Sequence, residues 1–142
     1  MTLENLRIKS KIRANEVESF MKDCDDSFNY FRYYEKRSFD VINNHIQTIL
    51  LYEMNKPIGY GHLEEENGKV WLGIILRNDK KGKGYGKYII EYLVDYNKKN
   101  KGGPVFLTVD IKNSVAINLF EKSGFKIDSK FNNRSYLMKH KY

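Results

Sequence analysis

Two apolar-rich runs, residues 58–65 and 69–76, flank Asn67-Gly68. That dipeptide is the strongest short hairpin signal, because a two-residue turn of type I′ needs positive φ at both of its positions. A tight turn there sets the register: Glu66 faces Lys69, Glu64 faces Trp71, His62 faces Gly73 and Tyr60 faces Ile75. Side chains alternate along strands, so Leu63, Val70, Leu72, Ile74 and Leu76 form one apolar face. The opposite face carries Tyr60, His62, Glu64 and Trp71 beside Gly73, an unusual set of titratable and aromatic groups for a sheet interior.

The pattern changes after Leu76. Arg77 to Ile90 reads RNDKKGKGYGKYII, and Tyr85, Ile89, Tyr92, Leu93 and Tyr96 then recur on one helical face. Gly82, Gly84 and Gly86 therefore stand at a strand-to-helix junction, where free amides and the helix dipole favour an anion. The loop does not fit a P-loop, since Tyr88 follows Gly86-Lys87, nor the dinucleotide fingerprint, since the glycines are spaced G-x-G-x-G.

Elsewhere, Leu3, Leu6 and Ile8 mark a first strand, and 13–22 a helix with Val17, Phe20 and Met21 inward. The aromatic and basic segment 25–45 is either a packing element or a wall of a substrate site. Residues 48–54 form a strand, with 55–57 as the turn after it. The helix after the glycine loop runs to about Lys98, and a strand follows over 104–109. Asn113 or Ser114 caps a further helix bearing Val115, Ala116, Leu119 and Phe120, and Gly124 closes it. Strands over 125–133 and 134–140 end the chain.

With 142 residues the chain makes one domain, residues 1–142. The formal net charge of +7 is concentrated in the glycine loop, through Arg77, Lys80, Lys81, Lys83 and Lys87 against Asp79, with a second cluster at Lys98, Lys99 and Lys101. Clustering around a glycine loop points to one polyanionic small ligand rather than to nucleic acid. Cys24 is the single cysteine, which excludes an internal disulfide and suits a reducing, cytoplasmic setting. No apolar run approaches a membrane span, so no membrane partner is expected; a homodimer is left open.

Lys81-Gly82-Lys83-Gly84-Tyr85-Gly86 resembles the acyl-CoA loop of the GNAT superfamily of N-acetyltransferases, (Q/R)-x-x-G-x-(G/A), with Lys81 where Gln or Arg is usual. Asn113, Ala116, Leu119, Lys122, Gly124 and Phe125 resemble its second motif, N-x-x-A-x-x-L-Y-x-K-x-G-F. The resemblance implies an α/β (α+β) fold in the order β-α-α-β-β-β-α-β-α-β-β, with about seven strands in a mixed, mostly antiparallel sheet and four helices. It further implies acetyl-CoA as cosubstrate and no metal. The pantetheine arm would lie along backbone of Ile74, Ile75 and Leu76, the pyrophosphate on amides of Gly82 to Lys87, and Asn113 against the CoA.

The activity so implied is direct attack of a small-molecule amine, an amino sugar among them, on the acetyl carbonyl. A peptide N-terminus or a polyamine is the alternative acceptor, and a non-catalytic CoA-binding module the alternative function. On the polar hairpin face, His62 is the expected general base, with nothing above Gly73 to fill the space over it. Glu64, nearer the hairpin tip, is the second catalytic candidate, otherwise a solvated or substrate-binding carboxylate, and Arg32, Tyr33, Tyr60 and Trp71 are the expected substrate contacts. Phe120 stands where the family commonly has the tyrosine that protonates the leaving thiolate. Departure as thiolate costs roughly 2 kcal/mol at pH 7 for a thiol of pKa ~8.5, so this replacement is tolerable.

Overall fold

The computed structural model describes residues 5–24 and 33–141. Seven strands form one sheet in the order β1-β2-β3-β4-β5-β7-β6, where β1 is Leu6–Lys9, β2 Gln47–Glu53, β3 Lys56–Glu66, β4 Lys69–Leu76, β5 Val105–Asp110, β6 Lys126–Lys130 and β7 Ser135–His140. Every neighbouring pair is antiparallel except β4 and β5. Helices α1 (Ala14–Lys22), α2 (Tyr85–Asn100) and α3 (Ser114–Lys122) complete the frame. Where a second helix is expected before β2, the described residues form two 3-10 turns, Tyr33–Glu35 and Phe39–Asn44. Ser38 caps the longer turn by accepting from the Asp40 amide.

Two cores lie on opposite faces of the sheet. Leu63, Leu72, Leu76, Ile89, Leu93 and Phe120 belong to the core under α2 and α3. Val17, Phe20, Tyr34, Leu50, Tyr60 and Ile75 belong to the one under α1 and the 3-10 turns. Helix α2 comes close to β3 because Gly59 and Gly61 offer no side chain. A Cβ on either would lie 2.7–2.8 Å from Ile89. The β3–β4 register is the one expected, His62 opposite Gly73 and Glu64 opposite Trp71. The β2–β3 turn falls one residue earlier than expected, at Met54-Asn55 with Met54 at φ 56°, and Pro57 sits inside β3 opposite Tyr52. A bulge between Leu51 and Tyr52 absorbs the irregularity.

The feature that positions a site is the parallel pair. Strands β4 and β5 are in register only at Val70↔Val105 and Trp71↔Phe106. Beyond them β4 runs on to Leu76 and β5 to Asp110, and the two diverge around a cleft of about 900 Å³.

Candidate active site

One end of the cleft is built from backbone. Gly82 and Gly84 have φ of 75° and 89°, a left-handed conformation that costs a side-chain-bearing residue roughly 1–2 kcal/mol. Gly84 is the N-cap of α2, whose first backbone bond runs from the Tyr88 amide to the Gly84 carbonyl at 3.2 Å. The amides of Tyr85, Gly86 and Lys87 precede that bond and lie at the positive end of a 16-residue helix. Gly82, Gly84, Gly86, Lys81 and Lys87 all line the cleft.

The loop's charge is smaller than its sequence suggests. Arg77 is ion-paired with Asp23 and Asp79, and Lys80 with Glu53 at 2.7 Å. Tyr85 also differs from expectation. Its ring is buried under the loop and its hydroxyl bonds Glu53, so only its backbone is available to a ligand. Neither Lys83 nor Tyr85 is among the residues lining the cleft. Asn113 does line it, while its Oδ1 caps α3 by accepting from the Ala116 amide at 3.2 Å.

The middle of the cleft runs between β4, at Gly73, Ile74, Ile75 and Leu76, and β5, at Leu107 and Val109. Beyond the short paired register, the β5-facing amides and carbonyls of β4 face the cleft. An extended ligand carrying amides matches such an edge. A polyanion joined to an amide-bearing arm therefore fits this cleft along its length. Phe120 lines the cleft too, buried and tilted against Phe125.

The other end is built from side chains. His62 is 2% exposed, and its imidazole occupies the space above Gly73 that the sequence left open. A Cβ at Gly73 would lie 2.7 Å from His62 Nε2. The glycine accommodates the ring, and no free volume remains for a substrate directly above it. His62 Nδ1 and the Tyr60 hydroxyl are 2.7 Å apart, and the Tyr60 and Tyr34 hydroxyls 2.6 Å apart. Tyr60 is thus fully buried behind His62 rather than a wall of the cleft.

Glu64 is not a solvated carboxylate. Its side chain is 14% exposed, and Tyr33 donates to Oε2 at 2.9 Å. The Tyr33 oxygen is also 2.7 Å from His45 Nε2, and His45 Nδ1 is 2.7 Å from Thr48 Oγ1. His45 went unnoticed in the sequence. Trp71 lines the cleft, donates from Nε1 to the Glu66 carbonyl at 3.1 Å, and meets Phe106 and Phe131. Arg37 lies over the Tyr33 ring at 4.3 Å and lines the same end. Arg32 falls outside the described residues.

Burial sets the charge states here. It pulls His45 down to about 4, with Arg37 adding to the effect. It holds His62 well below the ordinary histidine range, helped by His45 and Arg37. Burial also pushes Tyr34 up to about 12, and raises Tyr33 together with its bond to Glu64. At neutral pH both imidazoles are uncharged and both hydroxyls keep their protons.

His45, His62 and Glu64 bring three ligating atoms within 4.8 Å of one another. The two imidazoles nevertheless stack, 4.4 Å apart at 29°, so their in-plane lone pairs run side by side. The Tyr33 hydroxyl stands between His45 and Glu64. That arrangement suits a hydrogen-bond chain better than a metal.

The cleft thus has a glycine-rich helix N-terminus at one end, a splayed strand edge along its middle and titratable groups at the other, the features expected of an acyl-CoA site. Residues 11–125 match the acetyltransferase (GNAT) family, and the chain belongs to it. With the family come the acetyltransferase class and acetyl-CoA as cosubstrate. Among solved structures, the PaiA N-acetyltransferase of Thermoplasma acidophilum, in complex with coenzyme A, is similar over 100% of both chains at 19% identity, with a TM-score of 0.79. The spermidine N-acetyltransferase of Vibrio cholerae, in complex with CoA and spermine, is similar over 95% of this chain and 94% of its own at 20% identity, with a TM-score of 0.75. An N-acetyltransferase of Staphylococcus aureus Mu50 covers 96% of each chain at 16% identity, with a TM-score of 0.73. These identities carry the fold alone. A search of curated protein sequences finds no match.

Proposed function

We propose that this chain transfers the acetyl group of acetyl-CoA to the primary amine of a small, cationic molecule. The supporting observation is that one cleft joins the amide cradle at Gly82–Lys87 to the carboxylate of Glu64. Amides of Gly82 to Lys87, with Lys81 beside them, hold the pyrophosphate. Backbone of Ile74, Ile75 and Leu76 aligns the arm, and Asn113 touches the CoA. The amine enters past Tyr33, Arg37 and Trp71. Its nitrogen attacks the acetyl carbon, and the C–N bond forms as the C–S bond breaks. The sulfur departs as thiolate, with Phe120 supplying no proton.

Glu64 takes the proton from the amine, directly or through a water. His62, the base expected from the sequence, is less suited to that task. Protonating a buried imidazole would create a cation where burial and Arg37 both oppose one. Protonating Glu64 instead removes a charge, and its side chain is the more accessible of the two. As a neutral group above Gly73, His62 shapes the floor of the acceptor end.

Glu64 and Glu66 both line the cleft and lie two residues apart on one strand face, about 7 Å. That spacing favours a second reading, a polyamine with two ammonium groups, over an amino sugar. An acceptor panel of amino sugars, polyamines and α-amino peptides, with thiol release and acetylated product both measured, tests these readings. Turnover above background hydrolysis on a small amine is the expected result. Saturable CoA binding without turnover on any amine would overturn the proposal in favour of a binding module.

A further inference from the structure

Resting on the assignment of Glu64 as proton acceptor, we infer that Tyr33 and His45 form a one-way hydrogen-bond chain that positions its carboxylate. The argument begins at the acceptor. An ionised carboxylate has no proton to give, so the 2.9 Å contact must be Tyr33 O–H donating to Glu64 Oε2. A phenol has one proton, and that proton is now committed. The 2.7 Å contact between the Tyr33 oxygen and His45 Nε2 must then be His45 N–H donating. A neutral imidazole carries one N–H, so Nδ1 is bare and accepts from the Thr48 hydroxyl at 2.7 Å. Every direction in the chain Thr48–His45–Tyr33–Glu64 follows from one charge at its end.

The chain draws on three separate parts of the fold. Thr48 lies on β2 directly opposite His62, His45 closes the 3-10 turn before β2, and Tyr33 opens the earlier turn. The His45 side chain is fully buried, so no water competes for its nitrogens. Sheet packing fixes His45, His45 fixes the Tyr33 oxygen, and Tyr33 fixes which Glu64 oxygen is occupied. The remaining carboxylate oxygen is the one left to face the amine. Tyr33 and His45 are thus positioning residues that act through Glu64, a role distinct from the substrate contact the sequence suggested for Tyr33.

The test combines activity with a readout independent of it. Tyr33→Phe keeps the ring's packing on His62 and Arg37 and removes only the hydroxyl. We expect kcat to fall about 10- to 30-fold, with the KM for acetyl-CoA and the melting temperature unchanged, and no further loss when Tyr33→Phe is added to Glu64→Gln. His45→Gln, whose amide still donates to the Tyr33 oxygen, should retain more activity than His45→Leu. The 15N shifts of His45 in the intact protein should report the Nε2–H tautomer. An equal loss from Tyr33→Phe in both backgrounds, or an Nδ1–H tautomer, would overturn the chain. A fully active Glu64→Gln would instead remove the base assignment while leaving the tautomer result to stand.

Discussion

The two ends of the cleft are made of different materials. The cradle at Gly82–Lys87 is backbone: its donors come from a helix terminus, its shape from two glycines at positive φ, and its side chains contribute mainly charge. The other end is side chain: His45, Tyr33 and Glu64 form one set of contacts at 2.7–2.9 Å, Tyr60 and His62 another, and the two sets meet where the His62 ring packs on Tyr33 and His45. A backbone site tolerates most side-chain changes and fails when a Cβ is added. A side-chain network fails at single atoms. Variants at the cradle should therefore move cosubstrate affinity, and variants at the acceptor end should move kcat.

The sharpest way to break that division is Glu64→Gln. If Glu64 accepts the proton, kcat should drop by about 10²–10⁴ while the KM for acetyl-CoA stays within about twofold. His62→Gln should cost less than about tenfold, since that residue shapes the floor without titrating. Steady-state kinetics on both variants decides the matter, and the reverse ranking would return the base to His62.

Next in size is Gly84→Val. A β-branched residue at φ 89° is strained, and Gly84 lines the cleft. We expect CoA affinity to fall at least tenfold by calorimetry in a folded variant. Unchanged affinity would take the phosphate role away from the loop. Gly86→Val is the poorer test, because a Cβ there would lie 2.7 Å from Leu119 and disturb helix packing.

The difference in materials also governs what could be read from sequence. The backbone of the glycine junction was legible because its residues are consecutive and glycine reports backbone conformation. The β3–β4 register was legible because Asn67-Gly68 pins it, and the Asn113 cap because capping is local. The acceptor network was not legible. His45 meets the site only because Thr48 lies opposite His62, and the bulge between Leu51 and Tyr52 sets that pairing. Counting back from the turn without the bulge puts Thr48 opposite Gly61 and reverses its face, since one residue of slip inverts every side chain. The close approach of the His62 ring to Gly73 was hidden for another reason. Alternation gives the face of the sheet, not the rotamer.

Acid should attack the two ends unequally. His45 titrates at about 4 in the folded chain against 6.5 unfolded, and His62 is shifted in the same direction. A depressed folded value contributes stability that is full above pH 6.5 and is lost as pH falls toward 4, because the unfolded chain binds the protons first. His45 alone accounts for on the order of 3 kcal/mol at 1.36 kcal/mol per unit. Urea midpoints at pH 7 and pH 5 follow the effect, and His45→Gln should reduce it to the share that His62 contributes. A midpoint independent of pH in that range would mean that the histidines are solvated.

Phe120→Tyr should change kcat by less than about tenfold, since departure as thiolate already costs only roughly 2 kcal/mol. A larger gain would show that protonation of the leaving group limits turnover, and would place a chemical role in the middle of the cleft.

The smallest effect should come from Lys83→Ala, and it tests the claim that the cradle is backbone. Of the five basic residues in the loop, Arg77 and Lys80 are held by acids, and Lys81 and Lys87 line the cleft. Lys83 is exposed and lies outside the lining, so it reaches a bound anion only through solvent. A screened charge of this kind is worth on the order of 1 kcal/mol or less, which limits the loss of CoA affinity to about fivefold. Raising the salt concentration should shrink even that difference. Lys81→Ala, measured beside it, should cost more. A Lys83→Ala loss comparable to that of Gly84→Val would mean that side-chain charge rather than amide geometry holds the polyanion, and the contrast between the two ends would no longer stand.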